Sequence, residues 1–279
     1  MQLILPRQRV LDLSQPQVMG ILNVTPDSFS DGGRFVTITA AVQQAEQMLA
    51  DGATILDIGG ESTRPGSEPV SLSEELDRVI PVIEALRRQY DCVISVDTSK
   101  AKVMSAAVQA GADIINDVYA LRAPGALEAA SSAGVPVCLM HMQGEPRTMQ
   151  QQPEYQDVVQ DVMQFFIDRI QACEQAGILP EQIVLDPGFG FGKTLAQNYQ
   201  LLQQFDDFKQ LQRPLLAGMS RKSMIGQLLD VPLAQRLAGS LACATISAMK
   251  GAAIIRVHDV KATVEALKVV QATIYGVKQ

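Results

Sequence analysis

The stretch AAVQQAEQMLADGATILDI, residues 40–58, decides the architecture. It reads as an amphipathic helix over Ala40–Ala50, a stop at Gly52, and an apolar run rich in β-branched residues over Thr54–Ile58. Glycine tolerates the left-handed position that follows a helix C-terminus, so the stop has a mechanism. The same helix–glycine–strand pattern returns four more times. Lys100–Ala110 ends at Gly111 before Ile114–Ile115, and Gly125–Ser132 ends at Gly134 before Pro136–Met140. Glu154–Gln175 ends at Gly177 ahead of Ile183–Leu185, and Leu237–Met249 ends at Gly251 before Ala253–Val257.

The remaining elements keep this rhythm. Val18–Leu22 predicts a first strand, and Val93–Val96 and Leu215–Ala217 supply two more. Ser71 with Glu74 reads as a capping box that opens a helix to about Arg88, bent by Pro81. Eight short apolar strands alternating with helices indicate a buried parallel sheet. Eight units favour a closed (β/α)8 TIM barrel over an open doubly wound sheet, and 279 residues suit a fold that typically needs about 250. No linker or shift of composition breaks the chain, so the expectation is one α/β domain across residues 1–279.

Composition narrows the function. The chain is 47% hydrophobic and 19% charged, with no Trp and 5% aromatic residues, which predicts a large aliphatic core. A net charge of −7 argues against nucleic acid and against anionic membranes as partners, while leaving room for a small anionic substrate at a local basic cluster. Cys92, Cys138, Cys173 and Cys243 are scattered, with no metal-ligand spacing, as expected of free thiols in a reducing compartment. Met1–Asp12 has no secretory pattern, and the apolar stretch Leu237–Met249 is too short to cross a bilayer. A cytoplasmic protein is expected.

In such barrels chemistry sits where the strands end. Strand one ends at Asn23, strand two in Asp57 followed by Gly59, Gly60 and Glu61, strand three at Asp97, and strand four at Asn116 and Asp117. Strand five ends at His141 and strand six at Asp186; strand seven runs into Ser220, Arg221, Lys222 and Ser223; strand eight ends with Arg256 and His258. Singly, each has an ordinary explanation. Asp97 ahead of Thr98 suits a helix cap, Asn116 and Asp117 suit an Asx-turn, His141 suits a hydrogen-bonded barrel histidine, and Lys222 suits a solvated lysine. Their conjunction after every strand indicates a site.

Two polar loops, NVTPDSFSDGG at 23–33 and ESTRPG at 61–66, lie where lids lie. The segment DPGFGFGK at 186–193 falls one residue short of the phosphate-loop spacing, so its glycines are expected to let a flat ligand approach the backbone. Asp97, Asp186 and Asn116 suit the donor-rich edge of a heterocycle, and Asp186 can accept two parallel hydrogen bonds. Lys222 can donate to a ring carbonyl or nitrogen. Arg64, Arg256 and His258 form a second, cationic region for phosphate oxygens, and Asn23 offers a hard oxygen for Mg²⁺. No nucleophile–base pair stands out, so the chemistry inferred is substitution at a carbon bearing a diphosphate, through positioning and charge stabilisation.

At these residues the sequence closely resembles the dihydropteroate synthases of the folate pathway. The resemblance is carried by MGILNVTPDSFSDGG at 19–33, DIGGESTRPG at 57–66, SVDT at 95–98, IND at 115–117, DPGFGFGK at 186–193, SRKS at 220–223 and RVH at 256–258. It implies a barrel enzyme that joins 6-hydroxymethyl-7,8-dihydropterin diphosphate to 4-aminobenzoate, releasing 7,8-dihydropteroate and diphosphate. By position it implies that Asp97, Asn116, Asp186 and Lys222 hold the pterin, that Asn23 binds Mg²⁺ with Asp31 as a further ligand or loop-ordering residue, and that Arg256 and His258 bind diphosphate. Thr63, Arg64, Ser223, Phe29 and Pro65 would shape the aminobenzoate site. Cleavage of the C–O bond ahead of amine attack would leave a pterin methylene cation that Asp97 stabilises, with Lys222 and Arg64 the other expected catalytic groups. The resemblance further implies a sulfonamide target and a homodimer, for which helix Leu237–Met249 could serve as interface or simply pack on the barrel.

Two other functions share part of this pattern. A methyltetrahydrofolate-dependent methyltransferase barrel has a similar Asp/Asn pterin pocket but lacks the 23–33 and 61–66 loops in this form. A catalytically silent pterin-binding subunit would keep the pocket and lose the anion site, whereas Asn23, Arg64, Lys222, Arg256 and His258 are all present here.

Overall fold

The computed structural model of the chain describes residues 1–25, 34–62, 67–144 and 153–277, with backbone alone for 34–37. A short antiparallel hairpin comes first, β1 (Gln2–Ile4) and β2 (Val10–Asp12). The parallel strands follow in alternation with helices: β3 (Gln17–Asn23), α1 (Arg34–Ala50), β4 (Ile55–Gly59), α2 (Leu72–Gln89), β5 (Val93–Asp97), α3 (Ala101–Ala110), β6 (Ile114–Asp117), α4 (Ala126–Ala133) and β7 (Val137–Met140). Then come α5 (Val158–Gln175), β8 (Ile183–Asp186), α6 (Leu195–Gln203), β9 (Leu216–Ala217), α7 (Ser223–Leu229), α8 (Leu237–Met249), β10 (Ile254–Val257) and α9 (Val260–Tyr275).

The eight parallel strands pair in the order β8-β7-β6-β5-β4-β3-β10-β9. The two end strands meet: Leu185 bridges Leu215 in parallel, and Leu185 N donates to Pro214 O at 2.9 Å. The sheet is therefore closed, as eight helix–strand units predict. Gly52, Gly111, Gly134, Gly177 and Gly251, the five expected helix stops, all take positive φ. The capping box of α2 is formed, with Ser71 Oγ accepting from Glu74 N and Ser71 N donating to Glu74 Oε2. Pro81 lies inside that helix. The expected helix 154–175 starts later, at Val158, because the Asp157 carboxylate accepts from Val159 N and Gln160 N and fixes the N-terminus there.

Two features depart from what the sequence predicts. The hairpin is one, since strands of three residues leave no readable pattern. Its Leu3 and Leu11, with Leu5 and Leu13 beside them, pack on Met19, Ile55, Ile114, Val184, Leu216 and Ile254 and close the N-terminal end of the barrel. The core is also less purely aliphatic than the composition suggests. Among the described residues four phenylalanines, Phe166, Phe189, Phe205 and Phe208, are fully buried. They pair edge-on or stacked, with Phe166–Phe208 centroids at 5.9 Å and Phe189–Phe205 at 6.1 Å. Few aromatics are present, but they are concentrated behind β8.

Candidate active site

Strand register sets the floor of the site. Asn23 stands opposite Gly59, Gly59 opposite Asp97, and Asp97 opposite Asn116, so three polar side chains from β3, β5 and β6 share one level. Asp57 lies one pleat below, on the same face of β4 as Gly59. It is fully buried, and its Oδ2 accepts from Asn116 Nδ2 at 3.0 Å and from Arg256 Nε at 2.6 Å. Arg256 Nη2 reaches Asp97 Oδ2 at 2.7 Å. Asp57, Asp97, Asn116 and Arg256 thus form one connected network inside the barrel mouth. The sequence places Asp57 at the end of its strand; the strand runs on to Gly59, which leaves the Asp57 carboxylate deeper in the barrel.

Burial pushes the Asp97 carboxyl up to about 7 against the opposing pull of Arg256. Arg256 is itself held above its ordinary value: burial alone would lower it, but Asp57 and Asp97 outweigh that effect. Across the mouth, burial likewise raises the Asp186 carboxyl, opposed chiefly by Lys222. Asp186 Oδ1 accepts from Gly188 N at 2.8 Å. Lys222 enters from the turn after β9; its Nζ donates to Phe189 O at 2.5 Å and sits 4.4 Å from the centre of the Phe191 ring. Burial lowers Lys222 to about 8, with Asp186 acting in the opposite sense. With these contacts Lys222 is no solvated surface lysine.

Asp97, Asp117 and His141 divide between site and scaffold. Asp97 does not cap α3, whose N-cap is Lys100; the Lys100 N–H goes instead to Thr98 Oγ1, and the carboxylate is left for Arg256. Asp117 does form the turn, accepting from Ser99 Oγ, Tyr119 N and Leu121 N, and it holds Ala120 and Leu121 at positive φ. It belongs to the scaffold. His141 is the barrel histidine: its Nδ1 accepts from Lys193 Nζ at 2.9 Å, and burial holds both groups well below their ordinary values. Lys193, the last residue of the DPGFGFGK motif, also donates to Gly188 O and Phe191 O and so clamps the glycine loop.

The glycines of that loop are required by the protein's own packing. A Cβ at Gly188 would overlap the His141 carbonyl, one at Gly192 would meet the Gln143 carbonyl at 2.5 Å, and one at Gly190 would press on Lys222. The protein's own chain makes the close approach. The Nε and Nη2 of Arg256 go to the two carboxylates, and Ser220 Oγ lies 3.1 Å from both the backbone N and the Nδ1 of His258. Ser223 opens α7 and is exposed.

Phe29, Asp31, Thr63, Arg64 and Pro65 lie outside the described residues. The root of the second loop is fixed: Glu61 pairs with Lys100, which also reaches Glu75 Oε2 at 2.5 Å, and Arg78 Nη1 donates to Gly60 O at 2.9 Å. For a metal, the donor set beside Gly59 is hard. A Cβ there would lie 3.9 Å from Asn23 Oδ1 and 3.8 Å from Asp97 Oδ2. Among the described residues no three His, Cys, Asp or Glu side chains group as a metal centre. Asp97 Oδ2 is taken by Arg256, which leaves Asn23 Oδ1 as the hard oxygen suited to a Mg²⁺ ion that takes most of its ligands from phosphate and water.

Comparison with known proteins agrees with this geometry. Residues 19–258 match the family described as pterin binding enzyme. The chain is 61% identical over 264 residues to the dihydropteroate synthase of Escherichia coli (strain K12), covering 95% of this chain and 94% of that one. The structure of Yersinia pestis dihydropteroate synthase in complex with a sulfonamide drug superposes with a TM-score of 0.93 at 59% identity, over 98% of this chain and 99% of that one. Xanthomonas albilineans dihydropteroate synthase with 4-aminobenzoic acid superposes with a TM-score of 0.92 at 52% identity, over 98% of each chain. Closed as a parallel barrel, with carboxylates, an amide and a lysine buried at its mouth, and matched over nearly its whole length, the chain belongs to the dihydropteroate synthases of the pterin-binding enzyme family.

Proposed function

We propose that this enzyme joins 6-hydroxymethyl-7,8-dihydropterin diphosphate to 4-aminobenzoate, giving 7,8-dihydropteroate and diphosphate, within one pterin-binding barrel domain of residues 1–279. The carrying observation is the ring of buried Asp97, Asn116 and Asp186 with half-buried Lys222, which offers both acceptors and donors to a flat heterocycle. Asp186 accepts from the N–H and amino edge of the pterin, Lys222 donates to a ring carbonyl or nitrogen, and Asn116 supplies an amide held in place by Asp57.

Substitution at the pterin methylene is dissociative in this reading. The C–O bond breaks, its electron pair leaves with the diphosphate, and the ring-stabilised cation is met by the negative charge of Asp97. Arg256, bonded to Asp97, favours its ionised form against the larger opposing effect of burial. The aminobenzoate amine then forms the C–N bond and loses its proton. Asn23, with Asp31, would hold Mg²⁺, which neutralises diphosphate charge when bound. His258, Arg256 and Arg64 add positive charge for the leaving group. Thr63, Arg64, Pro65, Phe29 and Ser223 receive the aminobenzoate, and the drug and 4-aminobenzoic acid complexes of the relatives support competition by sulfonamides at that place. The four free cysteines suit a cytoplasmic enzyme, and among the described residues no helix is long and apolar enough to cross a membrane. A homodimer through α8 completes the reading.

Diphosphate release should require both substrates and Mg²⁺. Release from the pterin substrate alone at the same rate, or turnover unchanged by excess EDTA, would refute it. Binding of methyltetrahydrofolate without aminobenzoate would point to the methyltransferase reading instead.

A further inference from the structure

Lys222 is delivered to the pocket by a strained turn. Arg221, immediately before it, has φ +57°, in the left-handed region that side chains with a Cβ rarely occupy. Three contacts hold it there. Its backbone N donates to Ser240 Oγ at 2.9 Å, and its carbonyl accepts from Arg236 Nη1 at 3.0 Å. Its guanidinium forms a two-pronged pair with Asp259, Nε to Oδ2 at 2.8 Å and Nη2 to Oδ1. Ser240 is itself fixed, since its Oγ donates to Arg236 O at 2.7 Å.

These contacts come from two directions. Ser240 and Arg236 belong to the start of α8, and Asp259 follows β10 by two residues, just past Arg256 and His258. Ser220, on the other side of Arg221, takes His258. Residues 220–222 therefore alternate in direction: Ser220 to His258, Arg221 outward to Asp259, Lys222 inward to Phe189 O. An exposed ion pair is ordinarily worth little. This one is two-pronged and sits at the point where the backbone conformation aims the next side chain.

We propose that Arg221 is a positioning residue: paired with Asp259 and gripped by Ser240, it holds the left-handed turn that points Lys222 at the pterin. It acts through Lys222 and touches no substrate. The inference rests on the reading of Lys222 as a pterin contact, and the experiment separates the two. Steady-state kinetics are measured for both substrates in Lys222→Ala, Arg221→Ala, Arg221→Gly, Asp259→Asn and the combinations with Lys222→Ala, alongside thermal melts.

Lys222→Ala is expected to lose at least a hundredfold in kcat/KM for the pterin substrate; if it does not, the reading of Lys222 fails. Arg221→Ala and Asp259→Asn are each expected to lose about tenfold, through KM for the pterin substrate and not for aminobenzoate. Neither should change activity further once Lys222 is Ala, because residues that act through one group are not additive. Arg221→Gly should lie closer to the parent than Arg221→Ala, since glycine takes positive φ freely. Full activity in Arg221→Ala, an undiminished tenfold loss in the Lys222→Ala background, or a Gly variant no better than the Ala variant would overturn the proposal.

Discussion

Burial raises Asp97 to about 7 and lowers Lys222 to about 8, so the two groups titrate close together. Asp97 is a carboxylate above about 7, and Lys222 is an ammonium below about 8. The mechanism needs both charged, so kcat/KM for the pterin substrate should rise through the first value, fall through the second and trace a narrow bell. Asp97→Asn should lose the acid limb and Lys222→Arg the basic limb, each on a lowered plateau; a limb that persists in its variant belongs to another group. Asp57 makes a second prediction. Its carboxylate takes both Asn116 Nδ2 and Arg256 Nε, and hydrogen bonds to a charged group contribute about 1.5–3 kcal/mol each. Asp57→Asn should therefore lower kcat/KM roughly ten- to a hundredfold, and unchanged kinetics would confine Asp57 to the scaffold. These two aspartates mark how far the site is legible in sequence. Asp97 ends its strand, where an apolar run stops at a polar residue. Asp57 lies one pleat deeper, and only strand register reveals that it meets β6 and β10 residues 59 and 199 positions away. Chain pattern carries the direction of a side chain along its own strand but not its partner across the barrel.

The N-terminal hairpin tests the same limit at the scale of an element. Two three-residue strands are too short to stand out by alternation, yet Leu3 and Leu11 close the bottom of the barrel. Long-range charge fixes them there. Arg7 and Arg9, from the hairpin turn, and Arg87, from α2, converge on the fully buried carboxylate of Asp113, which also accepts from Ile94 N at 3.0 Å. Removing one partner of such a group leaves the rest uncompensated, at a cost of about 3–5 kcal/mol for a fully buried pair. The arginines reach water, so Asp113→Ala should cost about 3 kcal/mol, at the low end of that range. A denaturant melt reads the loss, and KM for either substrate should stay unchanged, because this cluster sits at the end of the barrel opposite the site. A variant as stable as the parent would reduce the cluster to surface pairing. Helices, by contrast, are legible from their ends. Ser71 with Glu74 and the five stop glycines state their geometry locally, whereas the start of α5 is obscured because Asp157 competes with earlier polar residues.

At the scale of the molecule, helix α8 has two faces that its nearly uniform apolar sequence does not separate. One face packs inward through Ser240, Cys243, Ala244, Ser247 and Ala248. The other leaves Ile246 and Met249 exposed, and Leu237 is exposed at the helix start, as are Leu228 and Leu229 at the end of α7 and Leu233 between the two helices. Interior packing therefore explains half of the helix, and the outward half is what a second copy of the chain would cover. A stable interface buries about 1,200–2,000 Å² in total, and a row of large apolar side chains is the part of it that excludes water. Light scattering should give twice the 30.2 kDa chain mass for the parent. Ile246→Glu, which places a carboxylate on that outward face beside Met249, should give the single-chain mass. Ser240 and Arg236 grip Arg221 from within one protomer, so the monomeric variant should keep its turn and lose less than tenfold in kcat/KM. A parent that is already monomeric, or an Ile246→Glu variant still at twice the mass, would remove α8 from the interface. A monomer that loses all activity would mean that the inward face of α8 needs the outward face covered in order to hold Lys222 in place.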